Sequence, residues 1–337
     1  MDILQNPYRG TGLTIDAPFP SVDAARPGAL LARCPAHGET PLLSAPDLAR
    51  TCGIAKLWVK DERGRMGLGS FKALGAAYVI ACDAEAGRAA GRSYVTASAG
   101  NHGLSVAAGA RVFGARAVVY LAETVPDVFA ARLRDEGAEV RRAGADYAAS
   151  MAAAEHAAQD EGMVLLSDSS WQGYTDIPHR LMEGYLQLAA EAAAQSPEPP
   201  THILLQAGVG GLAGAVAAYA RHIWGDGPQI IVVEPDAAPA LHHAIAAGGV
   251  VDTEGPDSCM GRLDCKTASW IALRGLSRDA DAFALISEAE AQDAMPVLTQ
   301  AGLETTPSGG AGLAALLAGL GLPGDARVMA ILSEAPE

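Results

Sequence analysis

Short apolar runs rich in Val, Ile and Leu recur along the chain at residues 57–60, 94–97, 117–121, 163–166, 202–206, 230–234 and 328–332. Runs of this length without polar alternation predict strands covered on both faces, as in a parallel sheet. Ala-rich stretches fill the intervals, among them 71–86 and 151–160, and predict helices. From residue 57 onward the two kinds of segment alternate, which argues for crossover βα units and places the chain in the α/β class. Residues 75–170 form one compact series of such units, and the Pro-rich SPEPP at 196–200 precedes a second, so two sheets are expected. The longest apolar run, 203–220, carries Gln206 and four glycines. It therefore reads as a strand turning into a helix, and no membrane span is expected.

A length of 337 residues, half of them apolar, allows a large core and a cleft between two domains. The formal charge of −15 would repel phosphate backbones and anionic lipid, and no basic patch offsets it. No nucleic-acid or membrane partner is expected, which leaves a small molecule. Cys34, Cys52, Cys82, Cys259 and Cys265 are odd in number and scattered, with no CxxC pair, so neither a disulfide framework nor a metal site is indicated. The N-terminal MDILQNPYRGTG lacks the basic and apolar regions of a signal peptide, and a reducing, cytoplasmic setting is expected.

Three segments can carry chemistry. In GSFKALGA at 69–76, Lys72 follows a Gly-rich loop and opens a predicted helix. At the positive end of a helix dipole and in apolar surroundings, its ammonium form should lose stabilisation, which frees the amine to condense with an aldehyde. The competing reading is a solvated lysine reaching off a helix. In the second segment, Ser98, Ala99, Gly100, Asn101, His102 and Gly103 follow the strand at 94–97 and open a helix running to Phe113. Backbone amides at such a terminus suit a carboxylate, with Ser98 and Asn101 offering side-chain donors, unless those two merely cap the helix. His102 reads either as catalytic or as a packed histidine. In the third, Gly208, Val209, Gly210, Gly211 and Leu212 follow the strand at 202–206, so their amides can cradle a phosphate. The same loop, read as Gly208-x-Gly210-x-x-Ala213 with Glu234 at the end of the next strand, also matches a dinucleotide fingerprint and keeps an oxidoreductase open. A loop-seated lysine, a carboxylate-sized helix terminus and a phosphate cradle in one chain together suit an amino acid joined to pyridoxal 5'-phosphate (PLP).

These segments resemble the fold type II PLP enzymes, the tryptophan synthase β and threonine dehydratase group, and within it the diaminopropionate ammonia-lyases. The resemblance runs through KDERGRMGLGSFKALGA at 60–76, SAGNHG at 98–103, SDSSWQGYTDIP at 167–178, QAGVGGLAGA at 206–215 and ILSE at 331–334. It implies two open, twisted, mostly parallel sheets flanked by helices. A small α/β domain of residues 75–170 would be inserted into a larger PLP-binding domain of 1–74 plus 171–337, with the active site between them. It also implies that Lys72 bonds the cofactor, Asn101 hydrogen-bonds its 3'-hydroxyl, Gly208 to Leu212 hold its phosphate and Ser333 faces its ring nitrogen. The 98–102 turn would hold substrate, and Asp168 would meet the substrate's β-amine, although as a bare residue it reads equally as a turn or cap. The implied activity is β-elimination of ammonia from a small amino acid, above all 2,3-diaminopropionate, by a homodimer; a threonine or serine dehydratase is the alternative. One departure bears on this. The ammonia-lyase pattern in the second segment is TDGNHG, with an Asp acting on the D-isomer, and here that position is Ala99. MGRLDCKTAS at 260–269 follows the family's pattern only loosely, and Asp264, Cys265 and Lys266 read either as pocket residues or as a surface loop.

Overall fold

The structure is a computed structural model that describes residues 1–336. Its strands are β1 (Asp2–Gln5), β2 (Leu42–Ser44), β3 (Lys56–Asp61), β4 (Ser93–Ala97), β5 (Arg116–Leu121), β6 (Glu139–Arg142), β7 (Val164–Leu165), β8 (His202–Gln206), β9 (Gln229–Pro235), β10 (Ala282–Ile286) and β11 (Arg327–Leu332). Seven of them form one sheet in the order β1–β10–β9–β8–β11–β3–β2, and four form a second in the order β6–β5–β4–β7. Within the larger sheet only the two edge strands, β1 and β2, run antiparallel to their neighbours. The smaller sheet is parallel throughout.

All seven strands expected from the apolar runs are present. The central strand β8 is buried at every residue, with β9 and β11 on its flanks, as an unbroken apolar run requires. At its carboxyl end Gln206 donates from Nε2 to the carbonyls of Gly309 at 2.8 Å and Ile331 at 3.0 Å, which fixes the strand end against β11. Four strands had no such signal. β1 and β6 are polar, exposed or half-buried edge segments, β2 is three residues long, and the buried AFALI of β10 has the alanines of a helix former. Among the described residues no helix is long and apolar enough to cross a membrane.

Parallel strands point their carboxyl ends the same way, and ligands of open α/β sheets collect beyond those ends. Beyond β3 the chain loops into the helix Lys72–Glu85, and beyond β8 it turns through Gly208–Gly210 into the helix Gly211–Trp224. Beyond β11 come Ser333 and Glu334, and beyond β4 the turn 98–100 enters the helix Asn101–Val112. The loop after β3 is held by a buried ionic cluster. Arg65 pairs with Glu62 at 2.7 Å and Glu191 at 2.6 Å, while Lys60 reaches Glu191 at 2.7 Å and the Thr40 carbonyl at 2.6 Å. Two cations and two carboxylates balance, and each is almost wholly excluded from solvent. This cluster ties the loop to the helix Asp176–Gln195, which carries Glu191, and next to Arg65 it holds Met66 at a left-handed φ of 51°.

Candidate active site

Lys72 is the first residue of its helix, and its Nζ donates to a carboxylate oxygen of Asp168. The two side chains are 22% and 18% exposed, so the pair is largely withdrawn from solvent. Burial alone would lower the Lys72 pKa, but the charge of Asp168 outweighs it and holds the ammonium above its ordinary range. Asp168 is shifted the opposite way. Burial would raise its pKa, yet Lys72 and the nearby His102 keep it well below the usual carboxylate range. The expectation of a destabilised Lys72 ammonium is therefore reversed, because the sequence motif did not include the carboxylate that folds against it.

Around this pair stand buried polar atoms with no hydrogen-bond partner among the described residues: Oγ of Ser70, Nδ1 of His102 and the hydroxyl of Tyr185. His102 is packed, its Nε2 against the Leu166 carbonyl at 2.8 Å, and burial lowers its pKa. Tyr185 meets Phe71 edge-on, ring centroids 4.9 Å apart, and its phenol is close enough to Lys72 to feel its charge. In the single sequence nothing distinguishes Tyr185 from any other aromatic on the core face of an Ala-rich helix.

The glycine loop requires its glycines. Gly210 sits at φ 97°, a left-handed conformation that side chains resist, and a Cβ on Gly208 would lie 2.9 Å from Sγ of Cys265. The first amides of the helix Gly211–Trp224 have no acceptor within the helix, so this cradle fits a phosphate. Cys265 faces the loop, and burial pushes its thiol up to about 12. Its neighbours do otherwise: Lys266 bonds Asp264 at 2.6 Å and the Ala237 and Pro256 carbonyls at 2.9 and 3.0 Å, which folds the segment on itself.

Ser333 is buried, its carbonyl accepting the Phe71 amide at 3.2 Å, one residue from Lys72. Asn101 opens its helix and donates from Nδ2 to Glu334 at 2.6 Å. Ser98 accepts the Gly100 amide at 3.2 Å, and Ala99 and Gly100 line a cleft of about 570 Å³ with Ser258, Arg262, Thr306 and Ser308. A second, apolar cavity of about 430 Å³ opens on another face of the Lys72 helix, between Leu30, Met66, Ala77 and Phe113, and contains none of the residues named for the site. Glu234, the acid of the dinucleotide reading, is fully buried and caps the amides of Leu241 and His242, both at 2.7 Å. It offers nothing to a ribose, and with it the fingerprint loses its second half.

A lysine beside a glycine phosphate cradle, unpartnered polar atoms around that lysine, and the two-sheet α/β architecture define the fold type II class of PLP enzymes. The chain belongs to the pyridoxal-phosphate dependent enzyme family, whose sequence profile matches residues 34–334. It is 36% identical over 237 residues to the diaminopropionate ammonia-lyase of Salmonella typhimurium strain LT2, a match that covers 63% of this chain but only 59% of that enzyme. It is 30% identical over 289 residues to the human serine dehydratase-like protein, covering 85% of this chain and 84% of the relative. Among solved structures, the Escherichia coli diaminopropionate ammonia-lyase in complex with D-serine superposes with a TM-score of 0.88 at 28% identity, over 99% of this chain and 93% of that one.

Proposed function

We propose that the chain is a PLP-dependent carbon–nitrogen lyase that eliminates the β-amine of 2,3-diaminopropionate to give pyruvate and ammonia. The observation that carries the reading is Asp168 against Lys72 beside the glycine cradle. The cofactor, when bound, supplies an electron sink for the carbanion left at Cα. Gly208 to Leu212 hold its phosphate through their amides, Asn101 meets its 3'-hydroxyl and Ser333 its ring nitrogen. The turn Ser98, Ala99, Gly100, Asn101 and His102 orients the substrate carboxylate at the start of the helix Asn101–Val112. Lys72 Nζ, once its amine is neutral and no longer paired with Asp168, takes the Cα proton. Asp168 then faces the substrate's β-ammonium in place of the lysine and holds the proton with which that group leaves as ammonia. The enamine released takes up water and yields pyruvate and a second ammonia.

In the same reading residues 75–170 are a small domain inserted between 1–74 and 171–337, and the enzyme is a cytoplasmic homodimer. Five free thiols support a reducing compartment, and sedimentation tests the dimer. Ala99, together with the likeness to a serine dehydratase-like protein, favours a second reading, elimination of water from serine or threonine.

The test is the absorption spectrum of PLP-loaded wild-type and Lys72→Ala protein, with 2-oxo acid assayed on L- and D-2,3-diaminopropionate, L-serine and L-threonine. A band near roughly 410 to 420 nm that depends on Lys72, with turnover of L-diaminopropionate, is expected. Turnover of the hydroxy-amino acids alone would select the dehydratase, and no band after added PLP would remove both.

A further inference from the structure

Glu334 follows β11 at the carboxyl end of the larger sheet, yet its side chain is engaged by Asn101, which opens a helix packed on the smaller one. It is 4% exposed. Oε2 accepts Asn101 Nδ2 at 2.6 Å, while Oε1 accepts the Thr306 hydroxyl and an Arg262 guanidinium nitrogen at 3.2 Å. Three donors converging on one side chain call for the acceptor-only oxygens of a carboxylate. This donor set fixes which way the buried amide of Asn101 faces. Nothing on Glu334 can donate to Asn101 Oδ1, so the amide nitrogen must turn to Glu334, and Oδ1 and the second N–H are left for whatever lies beside Asn101.

We propose that Glu334 is a positioning residue that fixes the amide orientation of Asn101 and thereby the hydrogen bond that the cofactor's 3'-hydroxyl meets. The proposal rests on the reading that Asn101 contacts that hydroxyl. Glu334 also pairs in an antiparallel bridge with Ser70, two residues before Lys72, so the same backbone places the lysine loop and the amide's anchor.

The substitution that tests it is Glu334→Gln, because its outcome follows from the neighbours. Arg262 and Thr306 claim the glutamine oxygen, its amide nitrogen turns to Asn101, and Asn101 must present Oδ1 in return. The amide turns over without loss of shape. PLP-loaded Glu334→Gln protein should therefore change the ratio of its visible to near-ultraviolet absorption bands and bind PLP about fivefold more weakly, the size of one hydrogen bond. Glu334→Met, similar in length and without an acceptor, serves should the glutamine protein fail to fold by circular dichroism. The decisive comparison is the double variant Asn101→Ala/Glu334→Gln, which should match Asn101→Ala alone in spectrum and affinity, since Glu334 acts only through the amide. A purely structural role for Glu334 would add its loss to that of Asn101→Ala and would overturn the proposal. So would wild-type spectrum and affinity in the Glu334 variants while Asn101→Ala alters both. An Asn101→Ala protein with the wild-type spectrum would instead overturn the placing of Asn101 at the cofactor, and this proposal with it.

Discussion

Ala99 stands where the ammonia-lyase pattern that the sequence resembles would place an acid. A methyl group lining the cleft has no proton to give or take, so Lys72 is left as the base of the proposed reaction and the L-isomer is the expected substrate. Restoring a carboxylate by Ala99→Asp should raise turnover of D-2,3-diaminopropionate about a hundredfold, the ordinary worth of a positioned acid or base, with little change for the L-isomer. Steady-state rates on the two enantiomers check it. Asp168→Asn keeps the size of the side chain and removes the charge that meets a β-ammonium. Rates on diaminopropionate should fall about a hundredfold while rates on serine, whose β-group carries no charge, fall less. Equal losses on both substrates would contradict the role given to Asp168. At this scale the sequence offers candidates wherever chemistry and chain order coincide: Lys72, Asn101 and the 208–212 loop stand in recognisable motifs. It was silent where partners come from distant segments. Asp168 lies far along the chain from Lys72, so the raised lysine pKa had no local signal. Glu234 stays open as a ribose acid in the sequence for the converse reason, since a suitable acid at a suitable distance carries no sign that two amides already occupy it.

The ionic cluster beneath the lysine loop acts on an element and not on a single contact. Burial would raise the Glu191 pKa, but hydrogen bonds and charge from Arg65 and Lys60 bring it down to about 2. A glutamate in the unfolded chain titrates near about 4.3, so the stabilisation is complete above that pH and is lost as the pH falls through about 2. Acid should therefore weaken the fold across that window, and urea unfolding between pH 5 and 2 should reveal less of this loss in Glu191→Gln. The same substitution leaves Arg65 and Lys60 short of a counter-charge in the interior and should cost about 3 to 5 kcal/mol at neutral pH. Elements were legible in proportion to their burial on two faces. The seven apolar runs became strands, with 163–166 shortened to the two-residue edge strand β7. Strands such as β1 and β6, which border the sheets and keep polar side chains, gave no contrast with loops.

In the whole molecule, Lys72, Asp168, Asn101, the glycine loop and Ser333 come from segments spread over most of the chain, so occupancy of the site should brace all of them together. Saturation with PLP at about a hundred times its dissociation constant adds about 2.7 kcal/mol to the folded state. For a chain of this size that is a rise of several degrees in melting temperature, measurable by calorimetry on loaded and stripped protein and smaller in Lys72→Ala. The α/β class and the division into two sheets were readable from the rhythm of runs and from SPEPP, whereas strand order was not, because nothing local tells β3 that its neighbour is β11. That pairing also sets a timetable for synthesis. A chain emerging from the ribosome can close the β6–β5–β4–β7 sheet as soon as β7 is out, because every member lies within one continuous stretch. β3, and with it the lysine loop, then waits for β11 to fill the gap beside β8, and β1 waits for β10. The lysine loop is thus among the last parts of the fold to gain its support, because β11, the strand that joins β3 to β8, is the last of the eleven in chain order.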